Sequence, residues 1–162
     1  MSTNITPILK EISQLIIAAL KEALRNQGHY QSGTLERSLN STVTKDSLTI
    51  SCLFYLWILE KGVAPGRMVI GTKSIAALTA YVQKRMGYDG KKAKQVAFAI
   101  LKTQVKEGMP THNAHRYSST GRRTAVLAQT LTLLQPLIDH KIDTGIEQII
   151  ETEFHKQQTQ TA

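Results

Sequence analysis

The sequence predicts an α+β fold: a long N-terminal helix, a small antiparallel β-sheet or hairpin, and several further helices including a C-terminal helix. Three observations predict it. Apolar residues recur at helical spacing between Thr6 and Gly28, the stretch STVTKDSLTISC alternates about a Lys45-Asp46 turn, and helical stripes punctuated by glycine and proline fill the rest.

Thr6 followed by Pro7 is a favourable helix start, because a proline in the first turn has no intrahelical donor to lose and its φ is already helical. Ile8, Leu9, Ile12, Leu15, Ile16, Ala19, Leu20, Ala23 and Leu24 then make one stripe that stops at Gly28. SGTLERSLN predicts a short helical turn, and the hairpin after it sets Leu48, Ile50 and Cys52 on one face, so Cys52 is expected to be a small buried hydrophobe. Ser74 is the expected cap of a helix whose Ile75, Leu78, Tyr81, Val82 and Met86 share a face ending before Gly87. A lysine-rich helix follows from about Lys91 to Glu107, with Ala93, Val96, Ala97, Ile100, Leu101 and Val105 inward and Gly108 and Pro110 as its stop.

The segment THNAHRYSSTGRR reads as a polar, basic loop. Val126, Leu127, Leu131 and Leu134 mark a helix that Pro136 should end or kink, and a separate final helix is expected to carry Leu137, Ile138, Ile142, Ile146, Ile149, Ile150 and Phe154. This last stripe is acidic on its solvent side, suited to packing within its own subunit or against a neighbour's basic segment. From about residue 156 the tail KQQTQTA is expected to fray.

A chain of 162 residues fits one domain, and residues 1–162 are expected to form it. No apolar run approaches the roughly 18 to 20 residues that cross a bilayer, and MSTNITPILKEISQ lacks the apolar core of a signal peptide. The expectation is a soluble, unexported protein with no membrane partner. One cysteine excludes an internal disulfide, and a reducing compartment suits it. Charge is distributed unevenly: residues 61 to 123 hold thirteen basic and two acidic side chains, whereas residues 124 to 162 hold two basic and five acidic. Such a concentration of cations points to a polyanionic neighbour.

Chemistry-bearing motifs are sparse. HNAH sets His112 and His115 three apart without a supporting cysteine or carboxylate, so no metal is expected. GVAPGR and STGRR match neither a Walker loop nor a dinucleotide fingerprint, and no nucleophile elbow occurs, so neither a cofactor nor an enzymatic activity is expected. Glu60 is expected to accept hydrogen bonds at a loop entrance, and Tyr55 and Trp57, set in LFYLWIL, to anchor the core.

In order, HYQSGTLERSL, the hairpin, YLWILEKGVAPGRM, SIAALTAYVQKRMG, KQVAFAILKTQVKEGMPT and GRRTAVLAQTL follow the N-terminal helix and precede a long C-terminal one. That order resembles the tail-completion and minor-tail proteins of tailed bacteriophages, which are head-to-tail neck components. The resemblance covers nearly the whole chain, and SGTLERSL, the aromatic-to-LEKG junction with APGR, and the AFAI helix are its most specific parts. It implies a structural virion protein, assembled in the host cytoplasm, that forms a homo-oligomeric ring in the head-to-tail connector or upper tail. The implied partners are portal-associated adaptor or head-closure proteins and tail proteins.

The resemblance further implies a structural corner in which Tyr55, Trp57, Glu60, Gly62, Pro65 and Gly66 set the exit direction of a loop. Arg67, Met68, Val69 and Ile70 continue it as an expected assembly arm, since its apolar members are poorly suited to free solvent. Lys84, Arg85, Lys91, Lys92, Lys94, Arg116, Arg122 and Arg123 are the expected contacts with protein or with passing DNA. The two adjacent arginines suit bidentate pairing with carboxylates, and the dispersed lysines suit solvent or non-specific contact with DNA. The alternative expectation is a small basic DNA-binding protein of phage or mobile-element origin, separable by the salt dependence of duplex binding.

Overall fold

The computed structural model describes residues 4–29 and 32–160, so Tyr30 and Gln31 of the HYQSGTLERSL stretch and the last two residues of the tail lie outside it. The fold is α+β. Its elements are α1 (Thr6–Asn26), α2 (Thr34–Ser38), β1 (Asn40–Val43), β2 (Leu48–Ser51), α3 (Tyr55–Lys61), α4 (Thr72–Met86), α5 (Gly90–Glu107), a 3-10 turn (Ala114–Tyr117) and α6 (Val126–Gln160). Where length alone argues for one domain, the chain divides into two compact units, Met1–Leu56 with Ala125–Ala162 and Trp57–Thr124.

In the first unit α1 begins where the sequence places it, with the Thr6 amide donating to Asn4 Oδ1 at 3.1 Å and Pro7 in the first turn. Its stripe buries Ile12, Ile16, Leu20 and Leu24. Leu35 from α2 and Leu39 beyond it are also buried, while Glu36 on α2 pairs with Arg25 of α1. The hairpin runs from Asn40 opposite Ser51 to Val43 opposite Leu48, closed by Thr44 and Ser47, whose backbone bond is 2.9 Å and whose hydroxyls lie 2.6 Å apart. It lies against α1, and Ser41 Oγ donates to Ser13 Oγ at 3.3 Å. Cys52 is exposed, not buried, because β2 ends at Ser51 and the alternation that would have turned it inward stops with the strand. Partial burial still pushes its thiol above the ordinary value.

α6 runs antiparallel to α1. Gln27 donates to Gln129 at 3.3 Å, Lys141 to Glu11 at 2.9 Å, and Gly145 lies so close to Ile8 that a Cβ there would meet its Cγ1 at 2.7 Å. The two expected helices are therefore one of 35 residues, with Pro136 inside it. Proline removes a donor and crowds the preceding turn at a cost of about 3 kcal/mol. Contacts with α1 on both sides of Pro136, at Gln129 and at Lys141 and Gly145, hold the two halves in line. Residues 156–160, expected to fray, continue the helix.

The second unit is built on α4 and α5. Val82, Ala93 and Ala97 form its buried centre, flanked by Leu78, Tyr81, Tyr88, Val96 and Ile100. α4 starts at Thr72 with Gly71 as its N-cap, so Ser74 is not the cap; its hydroxyl instead reaches back to the Val69 carbonyl at 3.4 Å. Met86, expected inward, is exposed at the last turn, before Gly87 closes the helix with φ 69°. Among the described residues no helix is long and apolar enough to cross a membrane.

Candidate functional site

Tyr55–Lys61 forms the short helix α3, and the expected core anchors Tyr55 and Trp57 lie on its exposed side. A helix turns about 100° per residue, so a continuous apolar run can bury only part of itself. Leu56 and Leu59, three apart, are the buried face of α3. Phe54, Tyr55 and Trp57 point outward, Trp57 remaining 49% exposed with Lys61 Nζ 4.8 Å above its ring. Glu60 sits half-buried in the last turn.

Past α3 the chain is fixed by backbone bonds. Gly62 donates to Ile58 at 2.8 Å and adopts φ 71°. Val63 and Met109 then exchange both amide bonds, at 2.7 and 2.8 Å, and Gly66 donates to Val105 at 2.8 Å. The loop is thereby attached to the C-terminal end of α5. The approach is close: a Cβ on Gly62 would meet the Met109 carbonyl oxygen at 2.5 Å, and one on Gly108 would strike the Val63 carbonyl and lie 3.1 Å from the Pro65 nitrogen. Gly66 also has a positive φ, 75°, but open space around it.

Beyond this base, Arg67, Val69 and Ile70 are exposed and Met68 is half-buried. Val69 reaches 79% exposure. Of the expected corner residues, Gly62 and Gly66 make the turns and Pro65 adjoins Gly108, whereas Tyr55 and Trp57 lie on α3 ahead of the turn.

The charge asymmetry follows the division of the fold. Trp57–Thr124 carries thirteen basic and three acidic side chains, net +10, and the other unit seven basic and nine acidic, net −2. Lys84, Arg85, Lys91, Lys92 and Lys94 are exposed on α4 and α5. Lys92 Nζ lies 4.6 Å above the Tyr88 ring, and the Arg116 guanidinium lies 5.5 Å from that of Tyr117. Arg122 is exposed and Arg123 half-buried, in the segment that leads to α6.

His112 and His115 are used locally. His115 Nδ1 is 2.7 Å from the His112 carbonyl, and the His112 amide donates to Glu107 Oε2 at 3.0 Å. That backbone bond, reinforced by the His112 ring at 3.1 Å, holds the Glu107 carboxyl below its ordinary pKa. Among the described residues no cluster of three or more His, Cys, Asp or Glu side chains could hold a metal ion.

Sequence reasoning missed Phe98, which stands 46% exposed on the lysine-rich face of α5. Its signal was its spacing from Lys94 and Lys102, four residues to either side, which sets it among the lysines and beside the stripe of Ala93, Ala97 and Leu101. Comparison with protein-family models finds no matching family, and comparisons with curated proteins and with solved structures find no match.

Proposed function

We propose that this chain is a structural protein of a tailed bacteriophage virion, forming a homo-oligomeric ring in the head-to-tail connector or upper tail. The observation that carries the reading is the Arg67–Ile70 loop, whose apolar tip is exposed while its base is bonded to the end of α5. A loop ordered before contact loses less entropy on binding, and apolar side chains at its tip gain by leaving water. Ring subunits meet through two different surfaces, so an extended element that fits a neighbour is the feature such a subunit needs. Portal-associated adaptor or head-closure proteins and tail proteins are the neighbours above and below. The exposed lysines of α4 and α5 suit non-specific contact with passing DNA, and Arg122 and Arg123 suit carboxylates of a protein partner.

A second reading, a small basic DNA-binding protein, is favoured by the net +10 of Trp57–Thr124. Replacing Val69 and Ile70 together with Ser separates the two. Expected is a chain with unchanged circular dichroism that fails to assemble, alone or with its portal complex. Normal assembly of the variant counts against the loop as the contact, and a wild type that stays monomeric while binding duplex DNA in a steeply salt-dependent way overturns the ring reading in favour of the second.

A further inference from the structure

α6 outruns the helix it packs on. At 1.5 Å per residue, its 35 residues span about 52 Å and the 21 of α1 about 31 Å. The pairings of Gln129 with Gln27, Lys141 with Glu11 and Gly145 with Ile8 place residues after about 148 beyond the first turn of α1. Asp143, Ile146, Glu147, Ile150, Glu151 and Phe154 fall within one side of α6 at helical spacing. All six are exposed, Ile150 at 62% and Phe154 at 59%.

α5 offers the converse surface. Lys91, Lys94, Phe98, Lys102 and Lys106 fall within one side of it at helical spacing, beside the buried stripe of Ala93, Ala97 and Leu101, and all five are exposed. Among the described residues, none of these lysines and none of Asp143, Glu147 and Glu151 makes an ion pair within the chain. The two faces have similar reach, about 22 Å on α5 and 17 Å on α6. Each sets an apolar centre among charges of one sign, and the signs are opposite. Facing helices of this kind bury their apolar residues at the seam and keep their charges at its rim, where they select the partner.

We propose that the acidic face of α6 beyond residue 142 docks on the lysine and Phe98 face of α5 in a second copy of this chain. The proposal rests on the ring reading and gives it a head-to-tail contact, since each copy carries one of each surface.

The test uses the full chain and two charge-reversed variants, Glu147→Lys with Glu151→Lys, and Lys94→Glu with Lys102→Glu. All four positions are on helix surfaces, and circular dichroism checks that folding is kept. Sedimentation velocity over a micromolar range is expected to show wild-type self-association, weakened about tenfold or more in either variant alone. Mixing the variants should restore it, because acid then meets lysine at every contact between unlike chains. Association that resists both reversals, or a mixture no stronger than its components, overturns the pairing. A wild type that stays monomeric throughout also overturns it. Loss of self-association in the Val69→Ser, Ile70→Ser chain with none in the reversed variants rejects the pairing and leaves the ring reading standing. Restored association that grows without closing rejects the ring and keeps the pairing.

Discussion

Gly62 and Gly108 differ from Gly66 in what surrounds them, and that difference sets what each tolerates. All three have positive φ, where an L side chain costs about 1 to 3 kcal/mol, and Gly108 combines it with a ψ of −169° that is almost confined to glycine. Gly108 additionally faces the Val63 carbonyl, and backbone cannot move aside as a side chain can. Gly108→Ala is therefore expected to lower unfolding free energy in urea by about 2 to 4 kcal/mol and Gly66→Ala by about 1. Equal losses would contradict the clamped base. Trp57 shows the same dependence on surroundings. A wholly buried Trp cut to Ala loses about 3 to 5 kcal/mol, but this one is half-exposed with Lys61 over it, so Trp57→Ala should cost about 1. Glu107 supplies a pH dependence. Its folded pKa lies below its unfolded one, so its contribution is present above the unfolded value and is lost as pH falls through the folded value. The His112 amide resonance should titrate with a midpoint below the ordinary Glu value. A midpoint at or above the ordinary Glu value would contradict that bond.

The elements were legible where periodicity and punctuation agreed. α1, the hairpin, α4 and α5 lie close to their expected spans, because each has one apolar face and a glycine or turn at its end. α3 was not legible, since a run of apolar residues without polar breaks carries no periodic signal to separate a short helix from a buried strand. The reading of Tyr55 and Trp57 as core anchors failed for that reason, and Cys52 failed because a strand's last residue is not fixed by its alternation. α6 was divided at Pro136, a local signal overridden by packing against α1 on either side. Pro136→Ala should accordingly raise stability by about 1 to 3 kcal/mol, read from the thermal midpoint. A lower midpoint would mean that the proline is accommodated without strain.

At the scale of the molecule, the positive stretch of sequence became one compact unit, a coincidence that composition alone could not show because contacts define the unit. The Arg67–Ile70 loop was legible as a Gly/Pro-flanked segment with apolar residues. Its anchorage was not, since the bridge joins Val63 to Met109 across α4 and α5 and no local pattern encodes so distant a pairing. In the proposed ring, copies of this chain meet with that loop at a contact. The decisive experiment is native mass measurement of the full chain, alone and with its portal complex, beside the Val69→Ser, Ile70→Ser variant. The expected result is one closed oligomer of defined mass for the wild type and folded monomer for the variant; wild-type monomer in both settings, or an oligomer indifferent to the two serines, would contradict it.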